Sequence, residues 1–228
     1  MSGAADGVEV TPLFGAARGC STFEQRLLRF SGPSAGRSDA ASDEVLYVLE
    51  GRAEAVVDGR RHGLEPGVAC YLPRGTTWSI GETTGTGLLS VVVPDPPEGE
   101  SRPAVVSRTS RSRATAGRAF ELLACPDIGC RSVTQFIGLV PPGRAPDHFH
   151  TYDEVIYILE GEGALEIDGE AAPLRAGSCI HLPARLVHCL ANTGDTELRL
   201  LGVFRPAGSP AEAYYPDGTA AVVPGSED

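Results

Sequence analysis

Two histidines and a glutamate lie close together in the run HFHTYDE, residues 148–154. His148 and His150 are two residues apart, so in an extended strand both side chains point to the same face. Glu154 has the same parity, and an unbroken strand would place its carboxylate on that face as well. Imidazole and carboxylate groups that converge on one side of a strand are ligands for first-row transition metals. His188, supplied by a later strand, would complete a set of four ligands.

These residues also resemble the two sequence motifs of the metal-binding cupins. The first motif, with one residue fewer than usual between its glycine and its first histidine, is matched by Gly143, His148, His150, Glu154 and Gly161. The second, apart from Arg185 in place of its usual glycine, is matched by Gly177, Pro183, His188 and Asn192. The resemblance implies one divalent transition metal per chain, iron or manganese in the first place and zinc or nickel as alternatives. Its ligands would be His148, His150, Glu154 and His188, and Glu154, the one anion among them, would also be a catalytic residue.

The chain contains the same module twice. Residues 43–51 (DEVLYVLEG) align with residues 153–161 (DEVIYILEG) at an offset of 110. The alignment continues without a gap as far as the Leu-Pro pairs at 72–73 and 182–183. A period of this length indicates one folding unit used twice, which the resemblance identifies as a double cupin, or bicupin.

The two copies differ at the proposed metal ligands. An offset of 110 from the four ligands leads to Ser38, Ala40, Glu44 and Trp78. Serine, alanine and tryptophan cannot hold a transition metal, and one carboxylate alone is too weak a ligand. The N-terminal copy is therefore predicted to be metal-free, with Trp78 filling the volume that His188 occupies in the other copy. Glu44 then needs a new partner if it is buried, or else it is exposed.

Short apolar runs that end in Glu-Gly or Asp-Gly predict many strands joined by tight turns. This pattern favours an all-β protein made of two tandem antiparallel β-barrels of the jelly-roll type, the double-stranded β-helix of the cupins. The best candidate for a short helix is Ala114–Leu123. We expect an N-terminal barrel over residues 1–93, a connector rich in Pro, Ser and Arg over 94–117, and a metal-binding barrel with a tail over 118–228.

Charge and composition narrow the range of partners. The net charge of −11 argues against a nucleic-acid backbone or an anionic membrane surface as a partner. The first residues lack the basic flank and apolar run of a signal peptide, and no segment is apolar enough to span a membrane, so a cytoplasmic protein is expected. Without export, the six cysteines are expected to be reduced thiols. Small antiparallel barrels expose strand edges, and from this we expect a homodimer.

Three histidines and a glutamate would leave about two positions open on an octahedral ion, as catalytic metal sites do. The first functional hypothesis is a non-haem iron dioxygenase that acts on a small organic molecule. The second is a Lewis-acid metal enzyme (a lyase, isomerase, decarboxylase or aminohydrolase) with manganese, zinc or nickel. The third is a non-enzymatic bicupin that binds a small molecule.

Three further residues are candidates to contact the substrate or to support the ligands. Tyr152 lies between the proposed ligands, and Gln135 lies on the preceding strand. His181 belongs to the strand that leads to Pro183, where the first copy has Tyr71. The direction of these side chains does not follow from the sequence.

Overall fold

The computed structural model describes residues 7–107 and 109–221. The chain divides into two compact units, Met1–Arg108 with Asp127–Ser132, and Thr109–Pro126 with Val133–Asp228. Each unit is built from a six-stranded and a three-stranded antiparallel sheet, which confirms the predicted all-β fold of two tandem barrels. Parts of the predicted segments lie outside the described residues, namely 1–6, Arg108 and 222–228.

The first unit has its larger sheet in the order β1-β2-β8-β3-β6-β9 and its smaller sheet in the order β5-β4-β7. Its strands are β1 (Val8–Phe14), β2 (Glu24–Phe30), β3 (Ser42–Glu50), β4 (Ala53–Val57), β5 (Arg60–Leu64), β6 (Ala69–Leu72), β7 (Trp78–Thr83), β8 (Thr86–Pro94) and β9 (Ala104–Val106).

The second unit repeats this plan, with a larger sheet in the order β10-β11-β12-β18-β13-β16 and a smaller one in the order β15-β14-β17. Its strands are β10 (Arg111–Arg113), β11 (Ala119–Ala124), β12 (Thr134–Val140), β13 (Asp153–Glu160), β14 (Glu162–Ile167), β15 (Glu170–Arg175), β16 (Cys179–Leu182), β17 (Cys189–Asn192) and β18 (Leu198–Arg205).

Asp-Gly pairs make the tight turns in both smaller sheets, as the sequence predicts. Asp58 and Gly59 join β4 to β5 with φ angles of 44° and 77°. Asp168 and Gly169 join β14 to β15 with φ angles of 51° and 83°. Two successive positive φ angles define the type I′ turn, whose twist matches that of an antiparallel hairpin.

The strand pairing shows how far the sequence repeat extends. Leu46 on β3 pairs with Ser90 on β8, whereas Ile156 on β13 pairs with Gly202 on β18. The offset is 110 for the first residue of each pair and 112 for the second. The second unit therefore has two more residues than the first between β13 and β18. A residue of β8 thus corresponds to the residue 112 positions later on β18.

Alternate residues of β13 face the interior of the second barrel. Ile156 and Ile158 belong to its core, and Glu154 has the same parity and is also buried. Successive side chains on a strand point to opposite faces, so Val155 faces the other side of the sheet. The interior core of the second barrel consists of Phe120, Phe136, Val140, Tyr152, Ile156, Ile158, Leu174, Ile180, Leu182, Leu190, Leu198, Leu200 and Phe204.

The helical segments are three-residue 3-10 turns, Ala16–Arg18, Thr115–Gly117 and Pro126–Ile128. The best candidate for a short helix, Ala114–Leu123, does not form one, because Ala119–Ala124 forms β11 and pairs along its length with β12. Helix propensity is a weak preference that pairing in a sheet readily overrides. Within the described part of the chain, no helix combines the length and the apolar character that crossing a membrane requires.

The predicted connector, 94–117, contributes a strand to each unit. Ala104–Val106 pairs with β6 at one edge of the first larger sheet. Arg111–Arg113 pairs with β11 at one edge of the second. The connector lacks apolar periodicity because both strands lie at sheet edges and bury little side-chain surface.

Candidate metal centre

Three of the four predicted ligands come together inside the second barrel. His148 and His188 form an isolated antiparallel bridge, with backbone N–H···O=C distances of 3.0 and 2.9 Å. His150 lies two residues further on, just before β13, and its carbonyl oxygen accepts from the Arg185 amide at 2.7 Å. One ring nitrogen from each histidine lies within 4.8 Å of the other two. Among the described residues, this is the one group of His, Cys, Asp or Glu side chains that is close enough to hold a metal.

Backbone carbonyls orient all three imidazoles. The Nδ1 atoms of His148, His150 and His188 lie 3.0, 2.7 and 2.9 Å from the carbonyl oxygens of Pro146, Glu212 and Leu186. A carbonyl can only accept, so each Nδ1 carries the proton and each Nε2 presents its lone pair to the cavity. Metal-binding histidines are held in this way, with the far ring nitrogen donating to a fixed acceptor.

Burial keeps these histidines neutral. Loss of hydration lowers the pKa of His148 to about 2 and that of His150 to about 3, and it also lowers the pKa of His188. The positive Arg118 and the neighbouring histidines add to this effect for His148. A metal must find its imidazole ligands unprotonated, and these three are unprotonated at neutral pH. The residues present therefore fit a divalent transition metal.

The carboxylate of Glu154 lies beside this cluster and is not part of it. The side chain is buried, and its Oε1 atom lies 2.8 Å from where a Cβ atom on Gly202 would be. Among the described residues no hydrogen-bond donor reaches this carboxyl group. Burial raises the pKa of Glu154 to about 8, and the charge of Arg118 opposes that rise. Three of the four predicted ligands thus lie together, and the carboxyl group of Glu154 lies at the wall of the same cavity, so its role as a fourth ligand stays a prediction.

Arg118 is a cavity residue that sequence reasoning missed. Its Nη1 atom donates to Nε2 of His148 at 3.2 Å, so it contacts an atom that would bind the metal. Its Nε and Nη2 atoms donate to the carbonyl and the hydroxyl of Thr115 at 3.2 and 3.0 Å. The internal repeat could have indicated this residue, because the position that corresponds to Arg118 in the first copy is the apolar Val8.

The cavity has mainly apolar walls and a volume of about 70 Å³. Tyr152, a predicted contact residue, lines it and stacks on the ring of His150 at 4.7 Å. The chain that follows β18 closes one side of the cavity. Its Tyr214 pairs with the backbone of Phe149, and its Glu212 carbonyl accepts from Nδ1 of His150. The apolar lining residues are Ala114, Ala119, Phe120, Phe136, Leu139, Val140, Ile156, Leu190, Leu200, Pro210, Ala211 and Ala213.

Two of the predicted contact residues do not reach the cavity. Phe136 lines it, so the preceding Gln135 points to the other face of β12, where it is fully buried. His181 pairs with Val155, and both belong to the face of the sheet that is turned away from Glu154. For each residue the parity of its strand decides the direction of the side chain.

The first barrel carries Arg37 and Trp78 where the second carries His148 and His188. These two residues form the corresponding isolated antiparallel bridge. The offset of 110 makes Ser38 the counterpart of His148, so the observed pairing corrects that alignment by one residue. Trp78 is 4% exposed, and the Arg37 guanidinium lies 5.9 Å from its ring centroid. These two residues thus stand at the positions that His148 and His188 take in the second barrel.

Comparison with known proteins matches the chain to the cupin domain family over residues 32–93 and 136–204. A polyketide synthase named CurC from Streptomyces cyaneus is 33% identical over 104 residues, which is 44% of this chain and 68% of that protein.

Two solved structures share the fold at low sequence identity. The protein Ylba from E. coli has a TM-score of 0.72 at 16% identity, covering 89% of this chain and 87% of that one. An oxalate decarboxylase from Bacillus subtilis has a TM-score of 0.70 at 15% identity, covering 90% of this chain and 75% of that one. At such identities the likeness concerns the fold alone.

Proposed function

This chain belongs to the cupin family, and on that premise we propose that its second barrel is a metal-dependent active site for a small organic molecule. His148, His150 and His188 would hold one divalent transition metal, and Glu154 would transfer protons next to it. The observation that carries the proposal is the convergence of three neutral imidazoles, each oriented by a backbone carbonyl, inside one buried cavity.

Imidazole ligands suit zinc, iron and nickel, and manganese also occurs in sites with a neighbouring carboxylate. Three protein ligands with a position left open is the arrangement of catalytic zinc sites, whereas structural sites are closed by four. The three-histidine ligand set therefore favours a catalytic metal site over a structural one.

When bound, the metal would supply Lewis-acid polarisation of a carbonyl or enol oxygen. Glu154 has no hydrogen-bond donor among the described residues and lies on the cavity wall, so its carboxyl group is available to take or give a proton. A raised pKa near the working pH is what general acid–base catalysis requires. The apolar walls exclude water around the reacting group and accept an apolar substrate body.

The relationship to CurC supports a substrate of the polyketide kind, that is, a molecule with several carbonyl groups and an apolar skeleton. Such molecules enolise readily, and their enol oxygens are suited to a Lewis acid and a neighbouring base. A 1,3-diketone with an aromatic ring, such as benzoylacetone, is the simplest probe with these properties.

A second candidate function is a non-haem iron dioxygenase. The H-x-H-x3-E spacing of His148, His150 and Glu154 favours it, because a carboxylate ligand would help iron reach a higher oxidation state. For this function Glu154 must move from the cavity wall to join the three imidazoles.

The deciding experiment combines metal analysis with turnover of benzoylacetone in air and without oxygen. We expect about one transition metal per chain in protein purified without chelator, and its loss in His148→Ala and His188→Ala. His62→Ala, a histidine on β5 of the first barrel, is the matched control and should keep the metal. Turnover that persists without oxygen supports the Lewis-acid function, and turnover that requires oxygen supports the dioxygenase. Absence of a bound metal in the wild type contradicts both.

A further inference from the structure

We propose that Arg118 is a substrate-binding residue that pairs with an anionic oxygen, so that the site selects molecules with one acidic head and an apolar body. The acidic head is a carboxylate or an enolate, which share the chemistry that a guanidinium recognises. This inference rests on the proposed metal site and names the class of molecule that the site takes.

Hydrogen bonds to Thr115 fix the position of the Arg118 guanidinium group. Two of its three guanidinium nitrogens are held by Thr115, a residue that is only 6% exposed and belongs to the 3-10 turn before β11. The third nitrogen, Nη1, is thereby directed into the cavity, where it meets Nε2 of His148 at 3.2 Å. A side chain anchored at two points loses little entropy when it binds a ligand.

A metal at the three imidazoles would remove the acceptor that Nη1 now uses, because the lone pair on Nε2 of His148 would be shared with the metal. No carboxylate lies within ion-pair distance of Arg118 among the residues that the structure describes. A half-buried charged donor without an acceptor is unfavourable. An anionic oxygen of a ligand beside the metal position would restore the hydrogen bond.

The remainder of the cavity determines what accompanies the anionic oxygen. Arg118 is the one lysine or arginine among the described residues that line it, so the cavity offers one positive side chain beside the metal position. The wall around it is apolar and includes Phe120, Phe136 and Leu190. A charged group beyond the reach of Arg118 and the metal would be buried against these side chains without a partner, so the rest of the ligand is apolar.

The test measures the binding of four probes to the zinc-loaded full-length protein by calorimetry. Benzoate has an acidic head on an apolar ring, benzamide is its neutral analogue, acetate has an acidic head without an apolar ring, and benzoylacetone supplies an enolate in place of a carboxylate. We expect benzoate or the enolate to bind at least about tenfold more tightly than benzamide and acetate. Tighter binding of benzoate assigns the site to carboxylates, and tighter binding of benzoylacetone assigns it to enolates.

The same titrations with Arg118→Met should show a smaller preference for benzoate or the enolate over benzamide, because only the metal then attracts the anion. Arg118→Lys should fall between Arg118→Met and the wild type, because it retains the charge but loses the two-point anchor. Arg199→Met is the matched control. It removes an arginine of the same barrel that is half-exposed and paired with Glu160 at 3.5 Å, and it should bind as the wild type does.

Zinc titration provides a readout that does not depend on the probes. Arg118→Met should bind zinc as tightly as the wild type or more tightly, because a competing donor and a positive charge leave the site. Wild-type protein that takes up no zinc contradicts the proposed function. Wild-type protein that takes up zinc but does not prefer the anionic probes contradicts the role of Arg118, as do an unchanged preference in Arg118→Met and loss of zinc from that variant.

Discussion

Glu44 and Glu154 occupy the same register position in their two barrels, but only Glu44 has polar partners. Nη2 of Arg26 donates to the Glu44 carboxylate at 2.9 Å, and the Ser90 hydroxyl donates to the same oxygen. The sequence left Glu44 either partnered or exposed, and the structure shows that it is partnered.

The corresponding positions in the second barrel are Phe136 and Gly202, as the pairing of β12 with β18 establishes. Both donors are thus replaced by groups that cannot hydrogen-bond through a side chain. A buried carboxyl group without donors is unfavourable in an ordinary core. Its presence beside three imidazoles supports the proposed role of Glu154 in proton transfer.

The first prediction concerns the pH dependence of stability in the metal-free protein. The pKa of Glu154 is about 8 in the folded protein against an ordinary 4.5, so the folded state keeps a proton that the unfolded chain releases. The stability from this group is fully present below pH 4.5 and is lost as the pH rises through 8. The histidines with lowered pKa act in the opposite direction around pH 6.5, so the effect of Glu154 is measured against Glu154→Gln, which keeps the same histidines.

Between pH 6.5 and 8 the free energy of unfolding of the wild type should fall by about 1 to 2 kcal/mol relative to that of Glu154→Gln, since one proton is worth about 1.4 kcal/mol per pH unit. Urea denaturation of both proteins at pH 6.5 and pH 8 measures this difference. Glu154→Gln should itself become slightly more stable over this range, because only the histidines then act. The same pH dependence in both proteins would disprove the assignment to Glu154.

The second prediction concerns the buried ion pair of the first barrel. The side chains of Arg26 and Glu44 are 25% and 13% exposed, so Arg26→Met leaves a mostly buried carboxylate without its cation. We expect a loss of about 1 to 3 kcal/mol in the free energy of unfolding. The double variant Arg26→Met with Glu44→Gln should recover most of it, because no charge is then left alone.

The control for this pair is Arg29→Met, which removes an exposed ion pair between Arg29 and Glu50 on the same strands. Exposed pairs contribute about 0 to 1 kcal/mol, so this variant should differ little from the wild type. Equal losses of unfolding free energy in Arg26→Met and Arg29→Met would mean that the buried ion pair stabilises the protein no more than the exposed one.

The third prediction transfers the partners of Glu44 to the second barrel. The double variant Phe136→Arg with Gly202→Ser should hold Glu154 in an ion pair and a hydrogen bond. Metal content should remain near that of the wild type, because the three histidines are unchanged. Turnover of benzoylacetone should fall by about 100-fold, a typical value for loss of general acid–base catalysis.

Gly202→Ser alone provides the control for the double variant. A Cβ atom at this glycine would lie 2.4 Å from the Phe136 ring, so the single variant should be destabilised until that ring is also replaced. Undiminished turnover in a folded, metal-containing double variant would exclude Glu154 from proton transfer.

The fourth prediction concerns the chain segment that follows β18. Tyr214 stacks on Phe149 with ring centroids 5.5 Å apart and pairs with its backbone, and the Glu212 carbonyl then reaches Nδ1 of His150. Tyr214→Ala should weaken metal binding by about 10-fold, as loss of groups that orient a ligand commonly does. Tyr214→Phe keeps the ring and should bind metal like the wild type. Equal affinities in all three proteins would show that His150 does not depend on this segment.

The sequence by itself determined the repeated barrel, the Asp-Gly hairpins and the convergence of His148 with His150. These features depend on short-range rules, namely the two-residue period of a strand and the backbone conformation that Asp-Gly prefers. The absence of ligands from the first copy could also be deduced, because an internal repeat supplies its own comparison. The register at His148 was off by one residue, since an offset in sequence does not show where a loop gains or loses a residue.

Only the tertiary structure decided which residues enclose the metal centre. Arg118 precedes β11 and reaches the cavity because β11 pairs with β12, while His150 is oriented by a carbonyl 62 residues away in the chain. The side chains of Gln135 and His181 point away from the cavity. Their direction follows from the parity of their strands, which the local sequence does not determine. Glu154 stands at the cavity wall because Phe136 and Gly202 meet there through pairing of distant strands, and no local pattern encodes such long-range contacts.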